Sequence, residues 1–291
     1  MGYGFSSIHP LPSFLYYIGA IILTMTFYHP IFLFAGFLIL IAINFIQDKG
    51  KKLKSYSKFY LFMAIIIVIL NPIISSRGET VLFYIFDKVI TLESFLYGVC
   101  TMLSLISIMI LFLSYNMIIT DDKFMYLFSG ILPKTSFLVM MTMRFVPLFK
   151  RRAEEIAIVQ KLKGGEIHKN SFKNKIKEGM QTLNILVTWS LEEAIQTARS
   201  MRARGYGATK DRTFYFNYKM DILDIIVLVT IIVLMFVLLF SWNTNLFHYQ
   251  IYPKVQSIKF DFKTTLFFIL YSLYMGIPII IEGMDKRKWR K

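Results

Sequence analysis

Residues 222–241 read ILDIIVLVTIIVLMFVLLFS, and Asp224, near the start, is the one charge among these twenty positions. The hydrocarbon core of a bilayer is crossed by about 20 mostly apolar residues in helical form. The stretch therefore reads as a transmembrane helix, and the fold follows from finding its counterparts. Five further runs qualify, at about 11–28, 30–46, 58–75, 94–119 and 264–282. His29-Pro30 alone separates the first two, which predicts a tight helical hairpin. Pro30 suits the first turn of the second helix and favours an extended residue before it. A cleaved signal peptide is a poor reading, because the first ten residues hold no Lys or Arg and a second apolar run follows at once.

Composition agrees. Of 291 residues 56% are hydrophobic, with 28 Phe, against roughly 45–50% in soluble domains. This weighs against a soluble enzyme. The formal charge is +15, from 33 Lys+Arg and 18 Asp+Glu, and the position of the charge gives the orientation. Five lysines fall in 49–58, eighteen Lys+Arg in 120–219 and five in 286–291, which is 28 of the 33. Cytoplasmic loops carry the Lys/Arg excess. With six spans the three basic regions share one side only if both termini are cytoplasmic. The sequence thus predicts an all-α, multi-pass protein of the cell membrane. Residues 1–119 form the N-terminal transmembrane helices, 120–219 a long cytoplasmic segment, and 220–291 the C-terminal transmembrane helices and a basic tail.

The basic charge is accounted for by topology and by attraction to anionic membrane lipid. Nucleic acid is not an expected partner, because the basic residues do not alternate with aromatics as a single-strand platform requires. The single cysteine, Cys100, leaves no intrachain disulfide and no cysteine-based zinc or iron–sulfur site. The four histidines are scattered without ligand spacing, so no metal or other cofactor is expected. No Gly-x-x-x-x-Gly-Lys-Ser/Thr stretch is present, so energy from ATP would have to come from a partner.

The cytoplasmic segment carries helical periodicity through most of its length. Residues 124–148 are apolar enough to lie at the membrane interface or pack under the bundle, and Pro133 and Pro147 punctuate them. In 149–165, FKRRAEEIAIVQKLKGG, the positions Ala153, Ile156, Ala157 and Gln160 make one small apolar face, and Gly164-Gly165 stop the helix. After a linker, 176–189 resume with Met180, Leu183, Leu186 and Val187 at apolar positions. Ser190-Leu-Glu-Glu193 has capping-box spacing, and a helix running straight through is equally compatible. In 190–207, SLEEAIQTARSMRARGYG, Leu191, Ala194, Ile195, Ala198 and Met201 form an apolar stripe, and Arg199 and Arg202 share a polar face. Both helices end in a basic residue followed by Gly: Lys163-Gly164 and Arg204-Gly205. Cations at helix C-termini gain about 0.3–1 kcal/mol from the macrodipole, which explains them without a partner. The alternative is that each end is a knob gripped by another protein, for which arginine suits bidentate pairing with carboxylates.

On these residues the chain resembles the transmembrane T component of energy-coupling factor (ECF) transporters, the CbiQ-type family. MRFVPLFKRRAEEIAIVQKLKG, residues 143–164, is similar to the family's Arg-Phe-x-Pro segment and first coupling helix. SLEEAIQTARSMRARGYG is close to its second, which ends in Ala-Arg-Gly-Tyr, and Arg212-Thr213 matches a pair the family carries soon after. The resemblance implies a non-catalytic scaffold. Two ABC-type ATPases would grip the two coupling helices, and a small membrane S component would capture a vitamin or a metal ion such as cobalt. Carried over, Ala203, Arg204 and Gly205 are the second ATPase-contacting motif, with Arg199 and Arg202 beside it. Leu162, Lys163 and Gly164 stand where the first motif would read Ala-Arg-Gly. Lysine there keeps the charge and loses the planar fork.

A rival reading is an integral membrane lipid or prenyl transferase in which Asp121-Asp122 hold Mg²⁺ against a diphosphate. No second Asp-rich cluster accompanies the pair. An ordinary ABC permease or a secondary transporter is a third class, and no internal repeat supports the latter.

Overall fold

The computed structural model describes residues 4–75, 78–85, 88–163, 172–208, 218–243, 249, 251–252 and 262–288. A 3-10 turn, Gly4–Ser7, leads into α1 (Pro10–Thr26), α2 (Pro30–Asp48) and α3 (Lys51–Ile74). A hairpin of β1 (Val81–Ile85) and β2 (Lys88–Thr91) follows, then α4 (Leu92–Ile118), α5 (Asp121–Ser129), α6 (Pro133–Lys163), α7 (Phe172–Ala203), α8 (Ile222–Asn243) and α9 (Phe262–Lys288). The protein is an all-α, multi-pass membrane protein: α2, α3, α4, α8 and α9 are each long and apolar enough to cross a bilayer. The first expected span is α1, shorter at 17 residues. The chain falls into two compact units, 1–124 with 218–291, and 125–217.

In the first unit α4 packs on α1, α2 and α3, while α9 packs on α2 and α8. The α1–α2 hairpin has the expected build. His29 is extended (φ −117°, ψ 129°), Pro30 opens α2, and the His29 Nδ1 accepts the Ile31 N–H at 3.3 Å. His9 caps α1 in the same way through Leu11 N–H at 3.2 Å.

Two features depart from the sequence reading. The basic stretch 49–58, counted with the cytoplasmic loops between the second span and a third starting at 58, is mostly helix. The turn is Lys49-Gly50, both left-handed, and Lys51, Lys52, Lys54 and Lys58 lie on the first turns of α3. Asp48 accepts the Lys52 N–H and so supplies an acceptor to a helix start whose first N–H groups lack one. The β-hairpin was not foreseen. Its run Thr-Val-Leu-Phe-Tyr-Ile, residues 80–85, is rich in β-branched and aromatic residues, which is the signal that could have found it. Glu93, at the start of α4, ties it down by accepting the Thr80 hydroxyl at 2.6 Å and the Thr80 N–H at 3.3 Å.

Tyrosines hold the bundle core. Tyr16, Tyr17, Tyr271 and Tyr274 are fully buried. The Tyr16 hydroxyl donates to Met275 O at 2.8 Å, and the Tyr274 hydroxyl donates to Tyr16 O at 3.1 Å, a reciprocal lock between α1 and α9. The two rings stack at 5.5 Å. The hydroxyls of Tyr17 and Ser114 share a bond at 2.7 Å, and Ser114 donates on to Gln47 Oε1 at 2.7 Å, joining α1, α4 and α2. Such bonds among membrane helices contribute about 0.6 kcal/mol each on average, so packing carries more of the stability. That packing depends on missing side chains. A Cβ at Gly19 would overlap the Tyr274 hydroxyl, and one at Gly36 would meet the Tyr271 hydroxyl at 2.6 Å. By contrast α3 and α8 expose large apolar side chains along their length, among them Phe59, Phe62, Ile69, Ile226 and Phe236, as lipid-facing helices do.

Candidate coupling site

The second unit is built on α6 and α7. The aromatic pairs Phe137–Tyr206 (5.1 Å, stacked) and Phe149–Trp189 (6.0 Å, edge-on) link the two helices, as does the Thr182 hydroxyl donating to Gln160 Oε1 at 2.9 Å. As the residue numbers rise on α6 they fall on α7, so the two run antiparallel. Arg152 lies over the Trp189 ring at 5.0 Å and pairs with Glu155 at 2.7 Å. The guanidinium thus meets α7 at a ring face and is fixed on its own helix by a carboxylate.

The expected face of α6 is present: Ala153, Ile156, Ala157 and Gln160 are half-buried. On α7 the outcome differs. The helix runs straight through Ser190, whose hydroxyl donates to Val187 O, so no capping box forms. The side turned to α6 carries Thr182, Leu186, Trp189, Glu193, Thr197 and Met201, all half-buried, while Leu191, Ala194, Ile195 and Ala198 of the expected stripe are exposed. Trp189 decides this, because its ring makes the contacts to Phe149 and Arg152.

The end of α7 has a defined stop. Gly205 is left-handed (φ 83°) and its N–H donates to Arg202 O at 3.0 Å, while the Tyr206 N–H reaches back to Met201 O at 3.0 Å. These two bonds are the Schellman pattern that satisfies the last carbonyls of a helix. A side chain at Gly205 would meet nothing within 4 Å, so the requirement there is conformational. Arg199, Arg202, Ala203 and Arg204 are exposed, and among the described residues none of the three arginines makes an ion pair. Tyr206, to which the sequence reading gave no role, anchors this end by stacking on Phe137. α6 ends at Lys163 with Leu162 79% exposed. Gly164 and Arg212-Thr213 lie outside the described residues.

The antiparallel pairing puts the two ends far apart. Leu162 is 25 positions along α6 from Phe137, the residue beside the end of α7, or about 37 Å of helix at 1.5 Å per residue. The hairpin is therefore a strut with an exposed cationic tip, Arg202–Arg204, at one end and an exposed Leu162 at the other.

Asp121 and Asp122 sit exposed in the first turn of α5, where carboxylates meet the positive end of the helix dipole. Among the described residues no group of three or more His, Cys, Asp or Glu is placed to hold a metal ion.

Comparison with known proteins completes the description. The CbiQ family model, described as cobalt transport protein, matches residues 9–215. Over 194 residues the chain is 29% identical to the energy-coupling factor transporter transmembrane protein EcfT of Staphylococcus aureus (strain 04-02981), a match covering 62% of this chain and 72% of that relative.

Proposed function

The chain belongs to the CbiQ family of cobalt transport proteins, and on that premise we propose that it is the scaffold and coupling subunit of an ECF-type importer. The family is a membrane component of transporters and not a catalyst, so the transferase reading built on Asp121-Asp122 falls away. In the proposed complex two ABC-type ATPases grip the hairpin at its two ends, one at Ala203-Arg204-Gly205 with Arg199 and Arg202, the other at Leu162-Lys163-Gly164. Both termini lie in the cytoplasm with this unit. A small membrane S component captures the cargo, a vitamin or a metal ion.

The observation that supports this reading is the antiparallel α6–α7 pair, whose ends at Leu162 and at Arg202–Arg204 are exposed and separated by about 37 Å of helix. One partner protein is not needed at both ends, and two partners that close and open on ATP would displace the ends relative to each other. Rigid elements with distinct arrangements transmit such displacements. The test is Arg204→Glu, scored by co-purification of ATPases from gently solubilised membranes and by uptake in cells. Loss of both is expected, because a carboxylate replaces the guanidinium in an anionic groove, while Arg204→Lys retains partial binding. Undiminished ATPase yield and uptake in Arg204→Glu would overturn the assignment.

A further inference from the structure

The chain leaves the first unit between Phe124 and Met125 and returns to it between Asn217 and Tyr218. Both crossings are tied to the same short stretch, residues 4–9. On the outgoing side, α4 ends with the Ile119 N–H bonded to Tyr115 O, and α5 begins two residues later. Lys123 bridges this joint: its ammonium donates to Ile118 O at 3.1 Å and to Ser6 O at 2.7 Å. Phe124 meets Phe14 of α1 edge-on at 6.1 Å.

On the returning side, Asp224 uses both carboxylate oxygens. Oδ2 accepts the Asp221 N–H at 3.1 Å, closing the start of α8, and Oδ1 accepts the His9 N–H at 3.2 Å. The His9 ring meets Tyr218 edge-on at 6.4 Å. Between these two ties the stretch is fixed to the bundle. Phe5 is 1% exposed and packs edge-on against Tyr16 and Tyr17. Gly4, left-handed at φ 72°, lies so close to Glu282 of α9 that a Cβ would come within 2.8 Å of its Cγ. A carboxylate and an ammonium in a membrane helix bundle are costly unless each has partners, and here each directs one bond to the six-residue stretch 4–9 and one to its own connection.

We propose that residues 4–9 form a clasp that makes the outgoing and returning connections of the cytoplasmic segment move as one body with α1 and α9, with Lys123 and Asp224 as its positioning residues. This rests on the coupling function proposed above. Without the clasp, each connection would lose its tie to the stretch that is packed on α1 and α9, and would swivel more freely. Displacement of the strut would then be absorbed at Ile119-Thr120 and Tyr218–Asp221 rather than delivered to the bundle.

Two measurements test it. The first needs only the full chain in detergent and reads amide hydrogen exchange. Lys123→Met is expected to speed exchange at the start of α8, residues 222–226, and Asp224→Ala to speed it at 119–124, each acting at the connection it does not touch. Lys123→Arg restores wild-type exchange, and Lys134→Met, on exposed α6, changes neither site. Effects confined to the mutated connection would overturn the clasp. The second uses the whole complex in proteoliposomes and reads uptake per ATP hydrolysed. Lys123→Met is expected to lower that ratio by about three- to thirtyfold with ATP hydrolysis and ATPase yield kept, and Lys123→Arg to restore it. An unchanged ratio would overturn the positioning role. A wild-type preparation that brings down no ATPases would overturn the proposed function, while the cross-site exchange effect would still stand or fall by itself.

Discussion

A hydrogen atom at Gly19, where any other residue has a carbon, lets α9 lean on α1. The Tyr274 hydroxyl occupies the space that a Cβ would take and from there donates to Tyr16 O at 3.1 Å. Gly19→Ala must push the ring away and break the lock, at a cost of about 1–3 kcal/mol as for other overpacked cores. The thermal midpoint of the solubilised protein is expected to fall, whereas Gly276→Ala, with nothing within 4 Å of its new methyl, is expected to leave it level or raise it. The histidine caps add a pH dependence. Burial lowers the pKa of both His9 and His29 from 6.5, and each Nδ1 accepts a backbone N–H that only the neutral ring can bind. Because the folded-state pKa is the lower one, the stabilisation is complete above pH 6.5 and is lost as pH falls through the folded value. Thermal midpoints should drop from pH 7 to pH 5, and the double variant His9→Asn/His29→Asn, which keeps both caps without a titrating group, should flatten that slope.

At the scale of elements, the α6–α7 strut hinges on one ring. Trp189 touches Phe149 and Arg152 at mid-length. Trp189→Ala should destabilise the pair by about 2 kcal/mol, less than the loss of a fully buried tryptophan, and hydrogen exchange should show it as lost protection over residues 182–193. The sequence reveals the α6 face because Ala153, Ile156, Ala157 and Gln160 recur at helical spacing with no competing face. On α7 the same rule selects Leu191, Ala194, Ile195 and Ala198, which are exposed, because periodicity weighs apolar residues and takes no account of a partner ring that draws Trp189 inward. The start of α3 is hidden for a related reason. Lysines with long stems are compatible with a helix at a membrane surface, yet their charge reads as a loop. The end of α7 was legible, since Gly205 after Arg204 signals a left-handed stop. The tie from Tyr206 to Phe137 was not, because 69 positions separate the two rings.

For the whole molecule, the strong Lys/Arg bias fixes an expected orientation, with both ends and the strut on one side and the β-hairpin on the other. The single cysteine makes this easy to examine. On a Cys100→Ser background, a cysteine at Glu79 should react with an impermeant maleimide in intact cells. Cysteines at Lys49 or Thr197 should react only after permeabilisation. Labelling of Thr197→Cys in intact cells would reverse the topology. The clasp also constrains how the protein is made. His9 meets its partner 215 positions further on, and Lys123 reaches Ser6 across 117. At about 5–20 residues per second, the ribosome delivers Asp224 some ten to forty seconds after His9. The opening stretch is therefore among the earliest pieces synthesised and among the last to find its place, and until α8 has been inserted it has to be kept from settling anywhere else.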